Sequence, residues 1–252
     1  MSPLPSVLIF GFGAFGHLIA SAVSPHLAVA VSDPDPAAQA QARLLGHAVV
    51  GPQQAGRFDV VVLAVPVPAL GECLHRLAPH LRAGQVVTDV CSVKQGPAGL
   101  MAQILPAGVQ ILASHPLFGP QSMPAGVAGG RVVLCPVRGT GWRRIAAFLR
   151  RALGLKVIVT TPEEHDRQAA LTQGLTHLLA RAMAGFQPHP LIRTRSFDLL
   201  AEALEMVAAD APEVFDAVTC GNPHVSVIRD RFVQLLAQPA LPDAGQGGDI
   251  RA

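Results

Sequence analysis

One histidine of this chain sits between a strand-like run and a tight turn, in Ser114-His115-Pro116-Leu117-Phe118-Gly119-Pro120. A neutral imidazole there can take up a proton near neutrality, because its unperturbed pKa is about 6.5. Upstream, Asp89-Val90-Cys91-Ser92-Val93-Lys94 offers a hydroxyl on Ser92 and an ammonium on Lys94 at the end of another apolar run. Near the start, Val7-Leu8-Ile9-Phe10 leads into Gly11-Phe12-Gly13-Ala14-Phe15-Gly16. Three glycines at that spacing form a turn that admits a dinucleotide's pyrophosphate. A carrier that takes hydride needs a base that takes a proton, and the chain supplies parts for both.

The glycine turn has its required context: a strand before it, a helix after it and an acid at the right distance. Gly11 allows the tight turn, Gly13 lets the backbone approach the pyrophosphate, and Gly16 lets the helix pack on the strand. Phe12, Ala14 and Phe15 complete the loop, whose helix N-terminus offers free N–H groups. Asp33 ends the second strand-like run. A carboxylate there accepts hydrogen bonds from ribose hydroxyls and repels a 2′-phosphate, so NAD is expected over NADP. Asp35 is the alternative contact. Val65 and Pro66, at the end of a third run, are expected on the nicotinamide side.

These residues need a scaffold. Val7–Phe10, Ala28–Ser32, Val60–Val65, Val86–Val90, Val109–Ala113, Val132–Pro136 and Lys156–Thr160 read as strands. Most are continuous apolar runs, as expected of strands buried on both faces of a parallel sheet. The segments between them are long enough for crossover helices. The fold class is therefore α/β: a doubly wound, mostly parallel Rossmann-type sheet, followed by a smaller all-helical domain. Residues 1–160 form the expected NAD-binding domain and 161–238 the helical substrate and dimerisation domain. The tail 239–252, rich in glycine, is expected to be disordered.

The helical half opens with a capping box at Thr161-Pro162-Glu163-Glu164 and a helix running to about Ala184. Phe197–Ala209, Pro212–Val218 and Val225–Ala237 are the further expected helices. On this helix Asp166, Ala170, Gln173 and His177 share one stripe, while Leu171, Leu175, Leu178 and Ala182 form an apolar one. Asp166 and His177 then stand ~16 Å apart along the axis and cannot hold the same substrate atom.

Bulk properties exclude several classes. Half of the 252 residues are hydrophobic and 14% are charged, which favours a sizeable core over disorder. A net charge of +2 argues for neither nucleic acid nor an acidic membrane surface. The cysteines at 73, 91, 135 and 220 have no zinc-ligand spacing and read as reduced. The histidines form no HxxxH pair, so no metal is expected. No basic leader and no membrane-spanning run is evident, so the expected location is cytoplasmic.

The order of these parts resembles the prephenate and arogenate dehydrogenases, the last redox step toward tyrosine. The glycine turn, Asp89–Lys94, Ser114–Pro120 and Glu164-His165-Asp166-Arg167 through Leu175-Thr176-His177-Leu178-Leu179-Ala180-Arg181 follow the family's sequence of motifs. The resemblance implies NAD(P)-dependent oxidative decarboxylation. His115 would take the ring hydroxyl's proton as hydride leaves the same carbon, and Ser92 would orient His115 and the hydroxyl. Lys94 would help hold cofactor or substrate. His177 would line the substrate pocket, with Asp166 in a charge network at its edge. Arg193 and Arg195 lie where the family has a basic residue before a pocket-lining helix, and a guanidinium suits a carboxylate substrate. Arg195 is the favoured one. Gln121 stands where many family members carry Glu, which weakens ammonium recognition and tilts the reading toward prephenate.

Two other readings compete. A dehydrogenase of the β-hydroxyacid or imine-reducing type shares the two-part build but uses a lysine in the helical half, and the last lysine here is Lys156. A non-catalytic NAD-binding redox sensor would not need His115, Ser92 and His177 together. The helical half is small and apolar, with Leu199, Leu200, Leu204, Phe215, Val218, Phe232, Leu235 and Leu236, so a homodimer through these helices is expected.

Overall fold

The apolar runs of the first half become one eight-stranded sheet. The computed structural model describes residues 5–120, 122–123, 126–186 and 190–238. Gln121 and the tail 239–252 therefore lie outside the described residues. From β1 (Ser6–Phe10) the chain passes through α1 (Ala14–Val23), β2 (Ala28–Ser32), α2 (Pro36–Leu44) and a short β3 (Ala48–Val49). It continues with β4 (Val60–Leu63), α3 (Val67–Leu77), β5 (Val86–Asp89), α4 (Gln95–Ile104) and β6 (Gln110–Pro116). β7 (Arg131–Arg138), α5 (Trp142–Arg151) and β8 (Lys156–Val159) complete the sheet unit. The spatial order is β3-β2-β1-β4-β5-β6-β7-β8.

All neighbours run parallel except β6 and β7, which are antiparallel. The chain winds outward from β1 to β3, then restarts at β4 on β1's other side. That reversal opens a crevice at the carboxyl ends of β1 and β4, where doubly wound sheets bind ligands. Leu8, Leu63, Val87 and Ala113 pack on one face against Leu70 and Leu74 of α3 and Met101 of α4. Val86, Leu112 and Leu134 pack on the other face, with Val23 of α1 and Ala146 of α5. Burial on both faces is why the strands read as apolar runs.

The structure differs from the sequence expectations at definite places. β3 is a two-residue edge strand, too short to show as a run. β6 continues through Ser114, His115 and Pro116, so His115 is the penultimate residue of a strand rather than part of the turn after it. It sits opposite Val133 of β7.

After β8 the described elements are all helical: α6 (Pro162–Ala169), a π-helical segment (Ala170–Gly174), α7 (Leu175–Gly185), α8 (Arg195–Ala208), α9 (Pro212–Thr219) and α10 (Val225–Leu236). Thr161 Oγ1 accepts from the Glu164 amide at 3.2 Å. Only half of the capping box forms, because the Glu164 carboxylate turns to Arg167 and Gln168. α8 starts at Arg195, capped by the Thr194 hydroxyl. Among the described residues no helix is long and apolar enough to cross a membrane.

Candidate active site

Register places the chemical residues in one row. Phe10 pairs with Leu63, Leu63 with Asp89, and Asp89 with Ala113. The next residues, Gly11, Ala64, Val90 and Ser114, therefore emerge together at the carboxyl edge of the sheet.

Gly11 has φ +99°, and a Cβ there would come within 2.4 Å of the Ala64 carbonyl oxygen. A Cβ on Gly16 would lie 2.2 Å from the Gly11 carbonyl oxygen. Both positions therefore require glycine. Gly13, by contrast, faces open space. It is the N-cap of α1, whose first turn carries no acid and no side-chain cap. Free amides at an uncapped helix start favour a phosphate. Beside them lies a cavity of about 430 Å³ lined by Phe12, Gly13, Ala14, His17, Asp33 and Asp35, with Ala37, Ala38 and Gln41 beyond. Asp33 Oδ2 accepts from the Phe12 amide at 2.6 Å and Oδ1 from the Asp35 amide at 2.8 Å. These bonds hold its carboxylate at the cavity wall. Asp35 caps α2 through the Ala37 amide. Among the described residues neither lysine nor arginine lines this cavity. Open backbone, free amides and a fixed carboxylate fit an adenine dinucleotide without a 2′-phosphate. Phe15 lies outside this wall and lines a second, apolar cavity with Leu18, Leu112 and Phe148. Val65 and Pro66 lead into α3 with Pro66 at its N-cap.

At the other end of the row His115 is only 4% exposed. Its Nδ1 lies 2.9 Å from His165 Nε2. His165 Nδ1 lies 2.7 Å from Asp166 Oδ1. The same carboxylate accepts from the backbone amides of Lys94, at 2.7 Å, and Gln95, at 2.9 Å. It thus fastens α6 to the start of α4. His115 Nε2 has no hydrogen-bond partner among the described residues, yet no buried side-chain nitrogen or oxygen there lacks a partner. Nε2 is therefore the open end of the chain. Burial first, then the nearness of His165 and of the Lys94 ammonium, which disfavour a second positive charge, hold the His115 imidazole well below its usual pKa. Burial pushes Asp166 upward, but the hydrogen bonds from His165 and the two amides outweigh it, and the carboxyl ends below its usual value.

Several expected assignments change. Lys94 is fully enclosed, with Nζ paired to the Asp89 carboxylate and donating to the Ser114 carbonyl at 2.6 Å. Its ammonium ties the ends of β5 and β6 together. Ser92 is half-buried and makes no side-chain hydrogen bond among the described residues, whereas His115 Nδ1 pairs with His165. Asp166 is fully buried within the hydrogen-bond network it anchors. His177 is buried between α7 and the segment joining α8 to α9. Its Nδ1 lies 2.9 Å from the Gln173 carbonyl, its Nε2 3.2 Å from Asp210 Oδ2, and its ring beside Phe215. Arg193 pairs with Asp198 and covers Phe197. Arg195 is exposed at the first turn of α8. Among the described residues neither arginine makes a hydrogen bond or ion pair with His115, His165 or Asp166.

Residues without an assigned role in the sequence reading also belong here. His165 is the first; it stood in the Glu164-His165-Asp166-Arg167 motif of the resemblance without a role of its own. Asn222 donates to the Asp166 carbonyl at 2.8 Å, and His224 Nε2 lies 2.9 Å from Gln95 Nε2.

The sheet, its switch-point crevice and the glycine turn define a dinucleotide-binding α/β protein with a helical extension. A family model described as "Prephenate dehydrogenase, nucleotide-binding domain" matches residues 22–161, from the end of α1 onward. The chain belongs to the prephenate dehydrogenase family. It is 28% identical to a probable arogenate/prephenate dehydrogenase of Methanocaldococcus jannaschii, over 72% of this chain and 43% of that protein. It is also 28% identical to a cyclohexadienyl dehydrogenase of Zymomonas mobilis, over 99% of this chain and 92% of that protein. The chain spans less than half the length of several relatives it matches. Its fold matches the crystal structure of prephenate dehydrogenase from A. aeolicus in complex with hydroxyphenyl propionate and NAD+, with TM-score 0.73 and 22% identity, over 92% of this chain and 88% of that one.

Proposed function

We propose that the protein catalyses NAD-dependent oxidative decarboxylation of prephenate or arogenate, with His115 as the base. The carrying observation is the open Nε2 of His115, in one row with the glycine turn. In this reading the Gly11–Gly16 loop and Asp33 hold NAD. Bound NAD would accept hydride from the carbon bearing the hydroxyl. His115 Nε2 takes the hydroxyl proton. Ser92, one step past Cys91 on the neighbouring strand end, is free to hydrogen-bond the same hydroxyl. The kinship with an arogenate/prephenate dehydrogenase and a cyclohexadienyl dehydrogenase supports the substrate class. Reduction of NAD on adding prephenate or arogenate is the direct test. Turnover of a β-hydroxy acid with none of either cyclohexadienyl substrate would overturn the reading.

Asp33 carries the cofactor choice. Asp33→Asn should narrow the preference for NAD over NADP, because a neutral amide no longer repels a 2′-phosphate. A wild-type protein that already prefers NADP tenfold would remove Asp33 from that role.

The division into a sheet unit, 1–160, and a helical unit, 161–238, belongs to the same proposal, as does a homodimer through the helices. Leu204 and Val218 are buried within the helical unit, whereas Leu199, Leu200 and Leu236 are exposed together with Leu171, Met206 and Val227. Covering that apolar surface favours association. A dimer mass in light scattering at micromolar concentration is expected, and a monomer mass counts against it. Arg195 or Arg193 would reach a substrate carboxylate only if this arrangement, or closure of α8, brings one to the site.

A further inference from the structure

The chain His115–His165–Asp166 raises a chemical problem and contains its answer. A deeply buried imidazole beside Lys94 is a poor place to leave a positive charge. Yet the proposed reaction asks His115 to accept a proton. Two of its surroundings carry no useful acceptor: β7 sets the uncharged Val133 opposite, and the Lys94 ammonium is committed to Asp89. The third, α6, presents His165 and behind it Asp166.

With both imidazoles uncharged, hydrogen-bond logic fixes the tautomers. The Asp166 carboxylate only accepts, so His165 Nδ1 must be its donor. Neutral His165 then offers a lone pair on Nε2, and His115 must donate to it from Nδ1. His115 Nε2 is left with a lone pair on the open side. The carboxylate at the inner end therefore determines that the outer nitrogen is a base, through two rings.

We propose that His165 is a positioning and charge-relay residue for His115, holding its tautomer and receiving the positive charge next to Asp166. The proposal rests on the reading of His115 as the base. The substrate O–H bond breaks and a His115 Nε2–H bond forms. The His115 Nδ1–H bond breaks as a His165 Nε2–H bond forms. His115 ends neutral and His165 becomes an imidazolium against the Asp166 carboxylate. When the carboxyl leaves as CO2, its bonding pair enters the ring and returns charge to the oxygen, which takes the proton back along the same path. Hydride to NAD and loss of CO2 leave no net proton, so the pair acts as a reversible store.

The test uses two variants and two readouts. His165→Phe keeps a ring but no hydrogen bond; His165→Gln can still accept from His115 Nδ1 yet cannot carry the charge. Nitrogen-15 NMR of histidine-labelled full-length protein, without substrate, should show His115 protonated on Nδ1 and bare on Nε2. That state should persist in His165→Gln and be lost in His165→Phe. This readout needs no turnover, so it is separable from failure of the proposed reaction. In kinetics His165→Phe should lose ~10²-fold or more in kcat, as when a base loses its tautomer partner. His165→Gln should lose kcat by about tenfold or more, with KM for NAD unchanged. Its acid limb should move to lower pH, because the proton must then stay on buried His115 beside Lys94. A wild-type His115 protonated on Nε2 would overturn the proposal. So would a folded His165→Gln enzyme with unchanged kcat and an unmoved limb.

Discussion

Replacing His115 by Asn is expected to lower kcat by ~10²–10⁴-fold, the usual cost of removing a general base. Asn is of similar reach and retains a hydrogen-bonding group, so the strand end and its pairing with Val133 should survive. It cannot accept a proton at the position of Nε2. The lost interaction matters chiefly as the O–H bond breaks, so KM should change much less than kcat. The wild-type rate should fall at acid pH, when the imidazole pair already holds its proton, and the variant should lack that limb. The limb belongs to the pair and not to either ring alone. Near-normal kcat in His115→Asn with the same acid limb would end the assignment, although the His115 tautomer would remain testable on its own.

The parts of this site that were legible in the sequence are those fixed by local backbone chemistry. Gly11 and Gly16 are glycines because a Cβ would strike the Ala64 and Gly11 carbonyls, and that constraint has a spacing that can be read. Asp33 was legible because one strand and one turn bring it to the Phe12 amide. The parallel centre of the sheet showed as apolar runs because both of its faces are covered. What was not legible depends on docking between distant segments. The direction of β7 is set by pairing with β6, and its apolar residues read alike either way. His165 meets His115 only because α6 lies across the start of α4, fastened by Asp166 to two backbone amides.

His177 shows the same limit in a helix. Eleven residues after Asp166 an unbroken α-helix returns to nearly the same face. The π-helical segment Ala170–Gly174 takes up an extra residue, which turns everything after it by roughly 100°. Asp166 therefore faces α4 while His177 faces Asp210 and Phe215. A close approach also marks the segment: a Cβ on Gly174 would meet Val225 of α10 at 2.5 Å. Sequence periodicity assumes an unbroken ladder and cannot show where one loosens.

Lys94 separates the two kinds of reading most sharply, because a ligand-binding lysine and a structural one predict different measurements. Its side chain is fully enclosed and paired with Asp89, itself fully buried. The Asp89 carboxylate also accepts from the amides of Cys91, at 3.0 Å, and Ser114, at 3.2 Å. Lys94→Met keeps the length and apolar stem of the side chain but removes the ammonium. It strands a buried carboxylate and leaves the Ser114 carbonyl without that donor, next to His115. Breaking one side of a buried pair costs about 3–5 kcal/mol. That is a large share of the ~5–15 kcal/mol by which folded proteins are stable. At 2–4 °C per kcal/mol for a chain of this size, Tm should fall by ~10 °C. Lys94→Met/Asp89→Asn should recover part of the loss, since no uncompensated charge is then enclosed. Thermal unfolding followed by circular dichroism decides it. An unchanged Tm with a raised KM for the acid substrate would return Lys94 to the ligand. A lowered Tm that the second substitution partly restores makes it the clamp that holds the ends of β5 and β6, and therefore His115, in place.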